Sequence, residues 1–436
     1  MTAGSGLEDV YGATIARIKA QGGDKSRLGI GALMWICYAE RPLSPNELCH
    51  ALGIELGSTD FNAGNIPSIT TLVSCCQGLI TADKEASKAS KASSKASKAS
   101  KASTVRLIHF TLRDYLSAHP HIFSRPHSAI AEVCLTYLNC QQVRILLVDT
   151  LDDLDALIDN EPFLAYCSRY WGVHAKKELS DCAMSLALKL FREYDGHISA
   201  LVFVQQAREY LDDLDIDFTW NGLHHASYVG SVQIVTALMG MGRHNPNQGD
   251  YLGCTALSLA CTMGHEEVVK ILLRQEGVNP DKPDNEGQTP LSYAARGGHE
   301  GVVKMLLQRG EVNPDNPDDH GRTPLWFAAG EGHEGVARIL LELEEVSPDQ
   351  PDNFNKTPLW CAAEGGHEGV VKMLLEREEV NPITIDNSGA TPLFWATEWG
   401  HEGVELLQEW EEVNHDKIKV RGPITLYSYG ASNCWK

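Results

Sequence analysis

The chain has 436 residues, a formal net charge of −21, 43% hydrophobic and 7% aromatic content. That length allows two to three domains, and the composition suits a folded protein rather than a disordered or fibrous one. No apolar run approaches a bilayer span, the N-terminal MTAGSGLEDV lacks a secretory pattern, and the 12 cysteines are scattered without a CxxC pair, so the expected setting is reducing and cytoplasmic, away from membranes.

Leu7 to Ala20 carries Leu7, Val10, Tyr11, Ile15 and Ile18 at helical spacing, which predicts an amphipathic helix ended by Gln21-Gly22-Gly23. Arg27 to Ala39, with Leu28, Leu33, Trp35 and Ile36, predicts a second, more buried helix. Ser44-Pro45-Asn46-Glu47 is a capping box with proline at the first helical position, opening a helix through Leu52. Ile66 to Cys76 is a further short helix, and Gly78 to Thr81 and Val105 to Phe110 read as two strands. Helices followed by a two-stranded ribbon predict a winged-helix domain over residues 7–125. Its wing holds a Lys-Ala-Ser tandem at 85–103. The simplest account is a slippage expansion in an exposed loop, tolerated because added loop length costs little; the other is a basic, phosphorylatable arm for an acidic or lipid surface. Residues 126–216 read as a helical connector, in which Leu151 to Asp155 and Leu211 to Asp215 are near-copies with no chemistry assigned.

The runs ALMWICYAERPLSPNELCHALGIE (Ala32 to Glu55), SITTLVSCCQGLIT (Ser68 to Thr81) and VRLIHFTLRDYL (Val105 to Leu116) resemble the winged-helix segment that follows the NACHT nucleotide-binding domain in fungal NLR-like proteins. PFLAYCSRYWGVHA (Pro162 to Ala175) and LALKLFREYDGHISA (Leu186 to Ala200) match the helical stretch that comes next in that family. The winged helix often carries the name of a GPI-inositol deacylase, but no deacylase activity follows from the name. The family's GxxxxGK[ST] phosphate loop is missing. Gly23-Asp24-Lys25-Ser26 has neither the Gly-Lys pair nor a preceding strand. The chain is therefore expected to start after the nucleotide-binding domain and to resemble the sensing and regulatory end of such a receptor. The resemblance gives His109 a place near the nucleotide; without the NTPase, a strand histidine in a core is the expected role.

From Leu252 to Asn414 the sequence repeats every 34 residues: Thr255, Thr289, Thr323, Thr357 and Thr391 fall in step, as do the pairs from Gly264-His265 to Gly400-His401. Such a period marks a solenoid whose units bury their apolar faces only by stacking. In one unit, Thr289 caps a short helix with Pro290 at its first position, Gly297-Gly298 stops it, and a second helix buries Val302, Val303, Leu306 and Leu307. Asp318-Asp319-His320-Gly321 then turns into the next Thr-Pro. The pattern TPLxxAAxxGHxxVVxxLL resembles the ankyrin repeat. A degenerate copy begins near Asn221 and the last copy is a residue short in its second helix, which gives six units over 217–416 and a tail at 417–436. The expected fold is mainly α: winged helix, helical connector, and an ankyrin-repeat α-solenoid with β-hairpin tips.

From Asp217 on, 16 Lys and Arg stand against 33 Asp and Glu, so −17 of the net charge sits in the repeats and the tail. Such acidity repels phosphate backbones and argues against nucleic acid on the array. It either solvates the exterior or suits a basic protein partner. No catalytic constellation is present: there is no nucleophile elbow, and a zinc-protease helix would need a second histidine four positions after His299, where Val303 stands. Recurrence in every unit makes these histidines structural. Neither a cofactor, a metal nor a small-molecule substrate is expected. The recognition-helix slot of the winged helix, Pro67 to Cys76, has no Lys or Arg, so it is expected to pack on protein. The alternative function is a nucleic-acid regulator using the winged helix and the lysine tract.

The resemblance implies protein binding on the concave side of the array. By register the inner helices then offer Tyr293, Arg296, Phe327, Glu331, Cys361, Glu364, Trp395, Glu398 and Trp399, and the hairpins Glu286, Gln288, His320, Arg322, Phe354 and Lys356. Trp326 and Trp360 occupy the family's usual histidine position and are expected to pack between units. Trp399, on the face of Trp395, is open to two readings: packing on the tail or facing a partner.

Overall fold

In a computed structural model the described residues are 5–82, 104–148, 151–192, 194, 197–207, 220–401 and 406–409. The Lys-Ala-Ser tandem, the second Leu-Asp-Asp-Leu-Asp run and the tail at 417–436 lie outside them. The chain divides into two compact units, Met1–Gly222 and Leu223–Lys436.

The first unit is built from α1 (Ser5–Ala20), α2 (Gly23–Tyr38), α3 (Pro45–Gly53), α4 (Ile69–Cys75), β1 (Ile80–Ala82), β2 (Val105–Leu107), α5 (Phe110–Ala118), α6 (Pro126–Leu138), α7 (Gln141–Arg144), α8 (Leu151–Asn160), α9 (Pro162–Lys177), α10 (Asp181–Phe191) and α11 (Ile198–Ala207). The capping box forms as read: the Glu47 N–H donates to Ser44 Oγ at 3.2 Å and the Ser44 N–H to Glu47 Oε2 at 2.8 Å. On α1, Tyr11, Ile15 and Ile18 face the core, while Leu7 and Val10 remain exposed. Helix α2 packs on α1, α3, α4 and α6, and α6 on α9. At their meeting Trp35 lies 5.7 Å from Phe163 and 5.6 Å from Tyr166, edge to face, with Tyr137 5.4 Å from Phe163. All four rings are buried, so one aromatic cluster closes this core.

Strands β1 and β2 pair antiparallel, Ile80 opposite Leu107 and Ala82 opposite Val105. The second strand is shorter than its sequence suggests, and His109 is not a core strand residue. It is exposed and caps α5, its Nδ1 accepting from the Thr111 N–H at 3.3 Å. A ring nitrogen two residues before a free N–H can satisfy an orphan donor, which ends the strand locally.

The second unit repeats a helix pair: α12 (Gly222–Val229) with α13 (Val232–Gly240), α14 (Ala256–Thr262) with α15 (Glu266–Leu273), α16 (Pro290–Arg296) with α17 (Glu300–Leu307), α18 (Pro324–Gly330) with α19 (Glu334–Leu341), and α20 (Pro358–Glu364) with α21 (Glu368–Leu375), followed by α22 (Pro392–Trp399). Thr289, Thr323, Thr357 and Thr391 each accept at Oγ from the backbone N–H three residues on, at 3.2 Å, and proline follows each at the first helical position. The first helices stack on one another, α14 on α16, α16 on α18, α18 on α20 and α20 on α22, with their alanines at the contact. Val302, Val303 and Leu306 of α17 are fully buried, as are Val370, Val371 and Leu374 of α21. The tips are tight loops rather than paired strands; among the described residues of this unit the ladder is reduced to one isolated bridge, Gly249 to Thr255.

Candidate functional site

The tips are shaped by an aspartate that recurs every 34 residues. Asp284, Asp318, Asp352 and Asp386 each turn Oδ1 onto the N–H groups two and four residues on, at 2.8–3.0 Å. A carboxylate holding two backbone donors fixes the loop without paired strands. Successive tips are then sewn together by backbone bonds: the Asp319 N–H donates to Glu286 O at 2.9 Å, Asn353 to His320 O at 2.8 Å and Asn387 to Phe354 O at 3.0 Å.

Three consecutive tips enclose a groove of about 680 Å³ lined by His320, Arg322, Trp326, Asp352, Phe354, Lys356, Asp386, Asn387 and Ser388. Its apolar surface comes from Phe354, 57% exposed, and Trp326, half-buried, whose Nε1–H donates to Lys356 O at 3.2 Å. Its cations are held in place. Arg322 pairs with Asp318 at 2.7 Å, and Lys356 Nζ lies 3.7 Å over the Trp360 ring and 3.8 Å from Glu364. The Asp352 and Asp386 carboxyls are buried beneath. An apolar wall with fixed polar groups around it is the composition of a recognition surface.

Of the residues expected from sequence, the groove gathers His320, Arg322, Phe354 and Lys356. Glu286, Glu331, Glu398 and Trp399 are exposed outside it, Trp399 by 57%. Tyr293, Arg296, Glu364 and Trp395 are half-buried along the first helices. Gln288, Phe327 and Cys361 are buried to 5%, 3% and 5% exposure, so they shape the face and present almost none of it. Phe327 is roofed by the Arg296 guanidinium 4.1 Å above its ring. Trp360 is fully buried and packs 5.8 Å from Trp395. Trp326 splits from it: it packs and also lines the groove. Asp352, Asp386, Asn387, Ser388 and Trp326 were missed as lining residues, although the 34-residue step of the aspartates is visible in the sequence.

The chemistry available here is binding. Burial raises the Cys361 thiol and the Tyr293 phenol well above their ordinary values, so neither is a ready nucleophile. The histidine pairs are structural as read. The ring Nε2 of His265, His299, His333, His367 and His401 meets the carbonyl oxygen of Tyr228, Thr262, Arg296, Gly330 and Glu364 at 2.8–3.0 Å. A carbonyl only accepts, so each ring donates from Nε2 to the preceding unit. Among the described residues no helix is long and apolar enough to cross a membrane.

No curated protein matches the chain. The family described as ankyrin repeats (3 copies) matches residues 193–284, 272–352 and 343–417. Those matches take in more than half of the sequence and coincide with the stacked helix pairs. Ankyrin repeats are generally protein-interaction modules and typically non-catalytic scaffolds. With its threonine-capped helices, histidine bonds between units and sewn tips, the chain belongs to the ankyrin-repeat family.

Proposed function

We propose that the array is a non-catalytic scaffold that holds a protein partner across the tips carrying His320, Phe354 and Ser388, an apolar side chain of the partner lying against Phe354 and Trp326. The observation that carries this reading is the exposure of Phe354 at 57% in a groove of about 680 Å³ whose cations, Arg322 and Lys356, are already paired. A preorganised wall loses little entropy on binding, which is what a hot spot requires. The surrounding acidity, −17 over the repeats and tail together, favours a partner with basic residues beside its apolar anchor. Glu286, Glu331, Glu398 and Trp399 form the outer margin of the same surface.

For the first unit we propose a winged helix over residues 7–125 that packs on protein, with a helical connector over 126–216. The short β1–β2 ribbon after α2, α3 and α4 supports it, as does the absence of Lys and Arg from α4. The whole is read as the sensing and regulatory end of an NLR-like protein working in the cytoplasm. Capture of partners by the full chain tests the surface. Phe354→Ala is expected to lose the specific partner by tenfold or more, about 1.4 kcal/mol or above, while Met263→Ala, also exposed, retains it. Equal recovery with Phe354→Ala would remove the groove from the proposal.

A further inference from the structure

Away from the repeats, the first unit brings together three side chains of the types that hold a transition metal. Glu40 follows α2, His127 lies in the first turn of α6, and His174 near the end of α9. Their ligand atoms all fall within 4.8 Å of one another: the two Nδ1 atoms are 2.8 Å apart, and His174 Nδ1 is 3.9 Å from Glu40 Oε1. No other group of three such side chains is found among the described residues.

We propose that Glu40, His127 and His174 form a binding site for one divalent transition-metal ion, Zn²⁺ foremost, that clamps the end of α2 to α6 and α9. With metal bonds of about 2.0–2.1 Å, tetrahedral ligand atoms stand about 3.3 Å apart. The histidine pair therefore has to open by about 0.5 Å, and Glu40 has to close by about 0.6 Å on His174 and by up to about 1.5 Å on His127. Imidazole nitrogen with carboxylate oxygen is a zinc-type donor set. Three protein ligands leave a fourth position for water, and the ion can enter from the side of half-buried His127 and Glu40.

The surroundings already supply what such a site needs. Tyr166 Oη lies 2.9 Å from His174 Nε2 and accepts the Glu40 N–H at 3.2 Å. Without metal, the two contacts form a chain in which either the tyrosine hydroxyl donates to Nε2 and His174 Nδ1–H to His127 Nδ1, or His127 Nδ1–H donates to His174 Nδ1 and His174 Nε2–H to the tyrosine oxygen. With metal, Nε2–H donates to the tyrosine oxygen and both Nδ1 lone pairs face the ion. The change is one of tautomer and costs no net proton. A ligating histidine oriented through its other nitrogen is the usual support of a metal site. His174 is fully buried; burial lowers the pKa of both rings and favours the neutral imidazoles that bind metal. The competitor is Lys177, whose Nζ donates to Glu40 Oε1 at 2.6 Å.

Titration of the full chain with Zn²⁺ by calorimetry, together with thermal melts, tests this. One ion per chain and a raised melting temperature are expected. His127→Gln and Glu40→Gln, both at partly exposed positions that should still fold, should each weaken binding by at least about tenfold, and Lys177→Met should strengthen it. Co²⁺ should give visible bands without sulfur charge transfer. Failure of the wild type to bind, unchanged affinity in both ligand variants, or a thiolate band that places the ion on cysteines would overturn the site.

Discussion

Asp284, Asp318 and Asp386 each spend Oδ1 on their own loop and leave Oδ2 to be satisfied by whatever the unit supplies. The Tyr293 hydroxyl donates to Asp284 Oδ2 at 2.6 Å and the Trp395 indole to Asp386 Oδ2 at 3.3 Å. Phe327, at the same register, has no donor, and the Arg322 Nε–H donates to Asp318 Oδ2 at 2.7 Å instead. A second aspartate series is less well served. Asp281, Asp315 and Asp349 accept at Oδ2 from the N–H of Asn313, Ser347 and Asn381, at 3.1–3.3 Å, while each Oδ1 is buried without a partner. Burial pushes the Asp349 carboxyl up from 3.8 to about 6, against the downward pull of the Asn381 N–H. A raised carboxyl favours the folded state in its neutral form, so that contribution is complete below pH 3.8 and is lost as pH rises through about 6. Asp349→Asn keeps the acceptor and removes the charge. A rise of that size in a fully enclosed carboxyl would be worth about 3 kcal/mol, but solvent screening at this half-buried site leaves about 1 kcal/mol. Urea unfolding should show the variant more stable by that amount above neutral pH, with the gap closing toward acid.

Between the two helices of a unit the chain turns on a glycine that no other residue replaces cheaply. Gly298 sits at φ 70°, and a Cβ there would come within 2.5 Å of the His333 Nδ1 belonging to the next unit. The turn and the contact between units are therefore one feature. Gly298→Ala should cost about 2 kcal/mol or more through backbone strain and displacement of that ring, whereas Gly310→Ala, where nothing lies within 4 Å of the added carbon, should be close to neutral. Comparable losses at both positions in chemical denaturation would mean the histidine yields freely. Capped helix starts were legible at this scale, because threonine, proline and the N–H three residues on are local chemistry. The early end of β2 was not, since β-branched and aromatic residues run on through Phe110 while the cap at His109 decides the boundary.

Across the whole array, stability passes from neighbour to neighbour. His333 carries one such junction through its 2.8 Å bond to Arg296 O. Removing the ring leaves a part-buried carbonyl unpaired, at about 1–3 kcal/mol. His333→Ala should also weaken the coupling between the units on either side, so that urea unfolding broadens or splits. His401→Ala, at the last junction before the end of the described helices, should release only the final unit. Identical sharp transitions in both variants would show that cooperativity does not run through these rings.

The period of 34, the capped helix starts and the alternation of short and apolar helices were fixed by local chemistry, so the solenoid and the structural role of its histidines could be read from the letters. Tertiary structure alone decided which of the aromatic repeat positions reach the surface. Phe327 and Phe354 are both aromatic and both repeat positions, yet one is 3% exposed beneath Arg296 and the other 57% exposed at a tip. It also decided that Glu40, His127 and His174, far apart along the chain, meet within 4.8 Å. Periodicity reports the face of a helix, but burial and convergence depend on neighbours that only the packed chain supplies.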